Sequence, residues 1–292
     1  MIRLVERSTL NEEKYNKCIV ASEWSFTYAH TWYLDLISDW SCLVLNDYEV
    51  VMPLPWKSKW GIKYITQPYF CQQLGIFSPK TIDNHIKKSF LSAIPRAFIK
   101  VAFGVNFRVD SYKFLEKTNY ILSLDSDYQS IKKNYRKDRK KAIRKAERFH
   151  LIYKDFDNRL ELMRLYKKAF GDIYNSSEMY LVIERIMNYC LTNQRGFIRN
   201  IICDNHLVAS GFFLINEGRI HYMFAAPSEE GKKKGAMTFL IDSVIKQYSE
   251  SDMVFDFEGS SLPNVASFYK SFGSERTSYF HLNMGVFNRL LS

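Results

Sequence analysis

The second half of the chain carries an ordered succession of hydrophobic patterns that restricts the possible folds more than any other feature. Apolar residues recur at helical spacing in residues 159–170, 178–191, 236–248 and 263–271. Strand-like runs rich in β-branched and aromatic residues fill residues 197–203, 207–215, 219–225, 253–257 and 277–284. The order is thus two helices, three meandering strands, and then helix, strand, helix and strand. It predicts an α/β domain with a mixed, mostly antiparallel central sheet.

The first half predicts a second domain of the same class. Helical spacing covers residues 12–20 and 30–38, and short strand-like runs lie at 42–45, 50–56, 63–66, 98–103 and 120–124. All five tryptophans fall within the first sixty residues, which favours core and hairpin packing over a binding cage. A chain of 292 residues is long enough for two such domains. We therefore expect an N-terminal domain at 1–125, a linking helix at 126–150 and a C-terminal domain at 151–292.

The linking segment carries most of the net charge of the protein. Residues 132–148 contain ten basic and two acidic residues, a surplus of eight in a chain whose net charge is +10. The apolar residues of this segment recur at spacings of three, four and seven, which predicts one long amphipathic helix that begins near Asp125 or Ser126. The candidates for holding an anionic substrate or a tRNA backbone are Arg136, Arg139, Lys140 and Arg144. A solvated helix face is the alternative interpretation.

The composition excludes several classes of protein. No run approaches the ~20 apolar residues of a membrane span, and charges occupy the N-terminus where a signal peptide would be apolar. The five cysteines are scattered and odd in number, and the six histidines are equally dispersed. We therefore expect free thiols, no disulfide framework and no metal site. Glycine-rich nucleotide-binding motifs are absent as well. These features predict a cytoplasmic protein without a tightly bound cofactor.

Two carboxylates lie two residues apart at the end of the strand-like run at 253–257. Alternation along a strand places Asp256 and Glu258 on the same face. Burial and like-charge proximity favour the protonated form of such a carboxyl, which suits a general base that works near neutral pH. Alternatively, Asp256 holds a neighbouring backbone or basic side chain and Glu258 is solvated at the strand end. We favour Glu258 as the functional group because it lies at the exit of the strand.

A lysine and a glycine-flanked loop are further candidates for binding negative charge. Lys270 ends the last predicted helix, where it either complements the helix dipole or stabilises an oxyanion during acyl transfer. Between Gly231 and Ala236, glycines and unpaired amides at a helix N-terminus would form a donor or anion site, with a plain basic loop as the alternative. The residues of this candidate site are Lys232, Lys233, Lys234, Gly235 and Ala236. Gln72 and Gln73 suit either hydrogen bonding to a peptide or sugar or simple loop closure.

Three passages of the sequence resemble the FemABX-like group of GNAT acyltransferases, which carries two GNAT-type domains in tandem. Residues 135–147 are similar to the basic helix before that family's second domain, residues 255–259 to its Asp-rich strand, and residues 269–273 to its ending with an aromatic residue, lysine and Phe-Gly. The resemblance implies two tandem GNAT-like domains. It makes Lys270 the counterpart of a family lysine proposed to assist acyl transfer. It also implies transfer of an acyl or aminoacyl group to an amine, as in members that act on cell-wall precursors.

The implied chemistry leaves the donor open between acyl-coenzyme A and aminoacyl-tRNA. Glu258, or Asp256 through a water, would accept the proton of an amine that attacks the carbonyl directly, and Lys270 would stabilise the developing negative charge. Met237 stands where the coenzyme A loop of ordinary GNAT enzymes has a small residue, and Asp35 lies in the stretch where wall-precursor transferases tend to have a lysine. The competing hypothesis is a non-catalytic tandem module that binds an anionic glycan, a lipid head group or a nucleic acid.

Overall fold

The computed structural model describes residues 1–23, 26–171, 176–259 and 262–285. The chain forms two compact units, one from Met1–Lys117 together with the chain from Ser278, and one from Thr118–Thr277. The segment at 126–150 therefore belongs to the second unit, and residues 278–285 belong to the first. This division differs from the predicted boundaries at 125 and 150, because sequence patterns do not reveal where the last strand pairs.

Among the described residues between 1 and 105, the first unit contains five strands and three α-helices. Its elements in chain order are β1 (Ile2–Glu6), α1 (Glu12–Val20), α2 (Thr31–Ile37), β2 (Asp39–Leu45), β3 (Val50–Lys59), β4 (Ile62–Thr66), α3 (Asn84–Ala93) and β5 (Phe98–Val105). The side chain of Asn11 accepts a hydrogen bond from the backbone N–H of Lys14 and so caps α1.

The chain enters the second unit along β6 (Phe114–Ser123). The elements that follow are α4 (Tyr128–Lys133), α5 (Lys137–Arg148), β7 (Ile152–Asp155), α6 (Arg159–Phe170), α7 (Ser177–Thr192), β8 (Gly196–Cys203), β9 (His206–Asn216), β10 (Arg219–Pro227), α8 (Glu229–Lys234), α9 (Ala236–Tyr248), β11 (Val254–Asp256) and α10 (Pro263–Lys270). The last strand, β12 (Glu275–Gly285), pairs with β5 of the first unit.

Each unit has a mixed sheet in which most neighbouring strands are antiparallel. The strand order of the first unit is β1-β2-β3-β4-β5-β12, and β4 and β5 are its parallel pair. The strand order of the second unit is β6-β11-β10-β9-β8-β7, and β10 and β11 are its parallel pair. The predicted fold class, a mixed and mostly antiparallel α/β architecture, is confirmed.

The basic segment forms two helices, α4 and α5, and the prediction of one long helix is wrong. The break falls at Tyr135, whose side chain is only 3% exposed and packs edge-on against Phe272 at 5.3 Å between ring centroids. The next residue, Arg136, donates its backbone N–H to the carbonyl of Ser271 over 2.9 Å instead of continuing a helix. Asp127, one residue beyond the predicted caps, accepts the first N–H groups of α4. Tertiary packing of a buried tyrosine thus outweighs the helical periodicity.

The core of the second unit lies under α9 and the central strands. Leu240, Ile241 and Val244 of this helix are fully buried, together with Phe213 on β9 and Phe255 on β11. The spacing of the three α9 residues is helical, so one face of the helix covers the sheet. Since β11 lies between β6 and β10, any polar side chain on it is carried into a densely packed region.

All five cysteines are buried free thiols, as the scattered spacing predicts. Burial raises the pKa of Cys18 to about 11 and that of Cys190 to about 12, because the thiolate loses its hydration. In the described part of the chain, no helix has the length and apolar character needed to cross a bilayer.

The parallel pair of the second unit opens after three residues. Arg219, Ile220 and His221 of β10 lie opposite Val254, Phe255 and Asp256 of β11. Beyond this point β11 ends, whereas β10 continues to Pro227 and is bulged between Tyr222 and Phe224. Bulges are common next to active sites, and the candidate site lies here, at the end of β11.

A buried carboxyl in α9 makes the stability of the second unit depend on pH. Asp242 is 4% exposed, and burial raises the pKa of its carboxyl, although the Tyr128 hydroxyl donates to it over 2.9 Å. The native state therefore retains a proton that the unfolded chain releases above about pH 4, and the free energy of unfolding decreases as pH rises through this window.

Replacing Asp242 by asparagine should remove this contribution. In urea unfolding at a series of pH values, the free energy of the wild type relative to Asp242→Asn should decrease from about pH 4 upward and level off once the native carboxyl is ionised. A difference that stays constant or increases over the same range would contradict a raised pKa of the Asp242 carboxyl in the native state.

Candidate active site

Asp256 lies at the end of β11 with its carboxylate fully engaged. It is 3% exposed, and its Oδ2 lies 2.6 Å from Nη1 of Arg219 on β10. Its Oδ1 accepts hydrogen bonds from the side-chain amide of Asn119, over 3.0 Å, and from the backbone N–H of Glu258, over 2.9 Å. A buried carboxylate needs such partners to offset the loss of hydration. The arrangement matches the alternative in which Asp256 holds a backbone group and a basic side chain.

Glu258 lies just beyond the strand, on a turn with two successive left-handed residues. Its φ is 63°, and the φ of Gly259 is 66°. A β-carbon at Gly259 would lie 2.5 Å from the carbonyl oxygen of Thr118, so only glycine fits here. The turn and the hydrogen bond to Asp256 together fix the direction in which the Glu258 side chain leaves the backbone.

The carboxylate of Glu258 pairs with an imidazole that the sequence did not single out. Oε1 of Glu258 lies 2.5 Å from Nδ1 of His221, which stands opposite Asp256 in the parallel register of β10 and β11. His221 is 1% exposed, whereas the Glu258 side chain is 18% exposed. Glu258 is therefore the accessible member of the pair, and the buried His221 contacts its carboxylate from the protein interior.

Two groups of potential metal ligands occur among the described residues, and neither fits a metal ion. Donor atoms of His221, Asp256 and Glu258 lie within 4.8 Å of one another, but the guanidinium of Arg219 already neutralises one of the carboxylates. The second group, Cys203 with Asp204 and Glu230, surrounds an ammonium. Nζ of Lys234 lies 3.1 Å from Sγ of Cys203 and 2.6 Å from Oε1 of Glu230. In both groups a protein cation neutralises the charge that a metal would need.

An aromatic cluster connects the end of β11 to α10. The ring of Phe257 lies 5.0 Å from that of Tyr269 and 5.8 Å from that of Phe272. Lys270 follows Tyr269 at the C-terminus of α10 and is exposed. Within the described part of the chain its ammonium makes no hydrogen bond or ion pair. Lys270 thus lies in the last turn of α10, where a cation complements the helix dipole, and its role as an oxyanion partner stays a prediction.

Arg136 and Arg139 lie where the basic segment, α9 and α10 meet. Nη1 of Arg136 donates to Oγ of Ser267 on α10 over 3.1 Å, and Nη1 of Arg139 donates to Oγ1 of Thr238 in the first turn of α9 over 2.9 Å. Both arginines bind Asp138, and hydrogen bonding by Arg136 holds the pKa of its carboxyl well below the usual range. Nε of Arg139 is buried without a partner among the described residues. The basic segment thus contacts both α9 and α10 at this point.

The other predicted basic ligands are used differently. Nζ of Lys140 donates to the backbone carbonyl of Lys133 over 2.7 Å, which ties α5 to the end of α4. Arg144 is exposed on α5 and makes a long hydrogen bond, 3.4 Å, to the carbonyl of Lys140. Lys140 therefore has a structural contact, and Arg144 remains available to an anion in solution.

The glycine-flanked segment is helical, which corrects the prediction of an open loop. Gly231 lies inside α8, its N–H is capped by Oγ of Ser228, and a β-carbon there would overlap the carbonyl of Val208. Lys232 pairs with Glu229 and Lys234 with Glu230, while Lys233 is exposed. Gly235, with a φ of 78°, separates α8 from α9, which begins at Ala236. The acidic first turn of α8 disfavours an anion, so only the start of α9 remains for one.

Gln72 and Gln73 lie in the first unit, between β4 and α3. Nε2 of Gln73 donates to Oε1 of Gln72 over 3.1 Å, and Gln67 donates to the backbone carbonyls of Cys71 and Gln72. The segment packs onto Gly104 so closely that a β-carbon there would lie 2.4 Å from the carbonyl oxygen of Gln72. These contacts favour loop closure over ligand binding.

Comparison with known proteins connects this geometry to a family. A model of the acetyltransferase (GNAT) domain matches residues 129–271. The crystal structure of FemX has a TM-score of 0.65 at 10% identity, over 97% of each chain. A tandem GNAT protein from the clavulanic acid biosynthesis pathway has a TM-score of 0.56 at 8% identity, over 98% of this chain and 99% of that one. The structure of L-PGS from Bacillus licheniformis has a TM-score of 0.55 at 16% identity, over 92% and 91%.

The structural likeness at such low identity concerns the fold, and no curated protein matches the sequence significantly. The family match covers the segment that contains α5, the parallel pair β10 and β11, and Lys270. Residues 129–271 therefore match the acetyltransferase (GNAT) domain, and the chain as a whole has the fold of FemX and of the tandem GNAT protein.

Proposed function

We propose that the protein transfers an aminoacyl group from aminoacyl-tRNA to an amine acceptor, with Glu258 as the general base. The observation that carries the proposal is the Glu258–His221 pair, 2.5 Å apart at the point where β11 ends and β10 continues. A partly exposed carboxylate supported by a buried imidazole can accept the proton that an attacking amine must lose.

The proposed reaction is a direct displacement on the ester carbonyl. The amine nitrogen forms a bond to the carbonyl carbon, its proton passes to Glu258, and the carbon–oxygen bond to the ribose breaks. The proton then passes from Glu258 to the ribose oxygen, so that an amide and deacylated tRNA leave. Lys270 stabilises the negative charge that develops on the carbonyl oxygen. Asp256 and His221 act as positioning residues that hold the Glu258 carboxylate.

An ester-linked donor is favoured over acyl-coenzyme A by the segment between β10 and α9. The short helix α8 has Glu229 and Glu230 in its first turn, and these repel a pyrophosphate. One N–H of the first turn of α8, that of Gly231, already donates to the hydroxyl of Ser228. Met237 adds a large side chain in the first turn of α9, where a pyrophosphate loop needs a small residue. Coenzyme A has few sites left here for its phosphates.

The exposed face of α5 provides the charge that a tRNA backbone needs. An open depression beside this helix is lined by Lys141, Arg144, Lys145, Glu147, Arg148 and His150. The cations of this face are exposed and lie on one rigid helix, as phosphate contacts require. At the N-terminal end of the same helix, Arg139 reaches the start of α9, where the aminoacylated end of the tRNA would be held.

Removing this charge should make tRNA binding less sensitive to salt. In Lys141→Gln/Lys145→Gln/Arg148→Gln, the slope of log affinity against log salt should be shallower by about two to three units. Each phosphate contact that is lost lowers the number of counterions released on binding. The measurement is fluorescence titration with tRNA that carries a non-hydrolysable, amide-linked aminoacyl group.

The matched control removes the same charge from the first unit. Lys80→Gln/Lys88→Gln/Lys113→Gln replaces three exposed lysines and should leave the slope unchanged. Unchanged slopes in both variants would move the tRNA site away from α5. Saturable binding of acetyl-coenzyme A without binding of the tRNA analogue would overturn the proposed donor, and binding of neither would favour the non-catalytic module.

A further inference from the structure

The turn between β3 and β4 exposes a tryptophan in an unfavourable backbone conformation. Trp60 and Gly61 form a two-residue hairpin turn with φ values of 53° and 78°. Positive φ at both central positions is typical of type I′ turns, in which asparagine or aspartate usually precedes glycine. A tryptophan there gains nothing from the turn itself.

The surroundings of Trp60 give its ring little burial. Its side chain is 89% exposed, whereas Trp40 is 3% exposed, and Ile62 beside it is 47% exposed. Trp56 is half-buried, and Trp24 lies outside the described residues. The prediction that the tryptophans pack in the core and hairpins therefore fails at the apex of this hairpin. The exposed ring and the exposed isoleucine together form an apolar patch, a feature that can mark an interaction site when it is contiguous.

The charges at this apex all have one sign. The tip of the hairpin, residues 57–63, contains three lysines and no acidic residue. Nζ of Lys59 lies 4.7 Å from the Trp60 ring, and Nζ of Lys63 lies 4.4 Å from the Trp56 ring. Lys57 lies three positions before Trp60, and Lys63 lies two positions after Gly61 on the other arm. Trp60 is thus outermost, Ile62 and Lys59 form the first cross-strand pair behind it, and the other two lysines follow.

We propose that the tip of the hairpin docks the first unit onto an anionic lipid surface. Trp60 and Ile62 would enter the interface between head groups and acyl chains, where an amphipathic indole ring is favoured. The three lysines would then lie at the level of the phosphates, with their alkyl stems along the apolar region. A nucleic acid would also attract lysines, but it would leave the exposed isoleucine without an apolar partner. The inference does not depend on the proposed transfer chemistry.

Vesicle binding tests the proposal with three variants of the full chain. Co-sedimentation would compare vesicles of equimolar phosphatidylcholine and phosphatidylglycerol with vesicles of phosphatidylcholine alone. Trp60→Asn, which suits the turn, should bind the anionic vesicles roughly tenfold more weakly than the wild type. Lys57→Gln/Lys59→Gln/Lys63→Gln should bind about 100-fold more weakly. The control Lys80→Gln/Lys88→Gln/Lys113→Gln removes the same charge elsewhere in the unit and should bind within about threefold of the wild type.

A second measurement reports insertion of the ring itself. Brominated acyl chains should quench the fluorescence of the wild type but have no effect on Trp60→Asn, because the other described tryptophans are not at the apex. Equal binding of the wild type to anionic and neutral vesicles, or no binding to either, would overturn the proposal. Wild-type affinity of Trp60→Asn for vesicles would overturn it as well, and so would a defect of this variant in tRNA binding alone.

Discussion

Replacing Glu258 by glutamine should lower the single-turnover rate of aminoacyl transfer by about 100- to 10,000-fold. The glutamine carboxamide has nearly the same shape, and its oxygen can still accept a hydrogen bond from His221, so the turn after β11 is kept. What is lost is the ability to take a proton from the attacking amine. The donor should bind with unchanged affinity, and the defect should appear in kcat without a matching change in KM.

A matched control separates this effect from a general change of charge. Glu229→Gln removes a carboxylate whose side chain is 72% exposed and which pairs with Lys232 at the surface of the same unit. Its transfer rate should stay within about twofold of the wild type, since exposed ion pairs contribute little. If Glu258→Gln transfers at the rate of this control, the general base lies elsewhere in the molecule.

Replacing Asp256 by alanine should lower the free energy of unfolding of the second unit by about 3 kcal/mol. The change leaves the guanidinium of Arg219, the amide of Asn119 and the N–H of Glu258 without the acceptor they share. We expect the lower part of the range for buried ion pairs, because Arg219 is 27% exposed and water can reach it. Transfer should also slow, since Glu258 loses the contact that orients it.

Hydrogen exchange of the amides on β10 and β11 is the measurement that isolates the second unit. Tryptophan fluorescence reports only the first unit, because all five tryptophans precede residue 61. The control is Asp157→Ala, which breaks an exposed ion pair with Arg159 and should change the free energy of unfolding by less than about 1 kcal/mol. Equal protection in Asp256→Ala and the wild type would show that the buried carboxylate does not stabilise the sheet.

Long periodic segments were predictable from the sequence to the residue. Three helices, α1, α6 and α9, have the bounds that their apolar spacing predicts. Other elements were not predicted, among them β7 and α8. All four residues of β7 are exposed, so burial does not alternate along this strand. It is a strand because it pairs with β8. Helix α8 was taken for a loop because of its glycines, although Ser228 and the acidic residues after it form an N-terminal cap.

Sequence patterns could identify only those residues of the candidate site that are neighbours along the chain. Asp256 and Glu258 were identified at the end of one predicted strand, although Glu258 lies on the turn beyond it, and their side-chain partners come from other strands. Arg219 and His221 are 37 residues away in sequence, and Asn119 is 137 residues away from Asp256. These contacts depend on the register between β10, β11 and β6, which no local pattern specifies. A histidine in an apolar run was the available signal, and such a residue is more often a core side chain than a functional one.

Formation of an amide from a charged tRNA is the most direct test of the account. The wild type and Glu258→Gln would be incubated with labelled aminoacyl-tRNA, labelled acetyl-coenzyme A and a panel of amines, and the products identified by mass spectrometry. We predict an aminoacylated amine with the wild type, and about 100-fold less or none with Glu258→Gln. An acetylated amine in place of the aminoacylated one, or equal product from both proteins, would contradict the proposed donor or the proposed base.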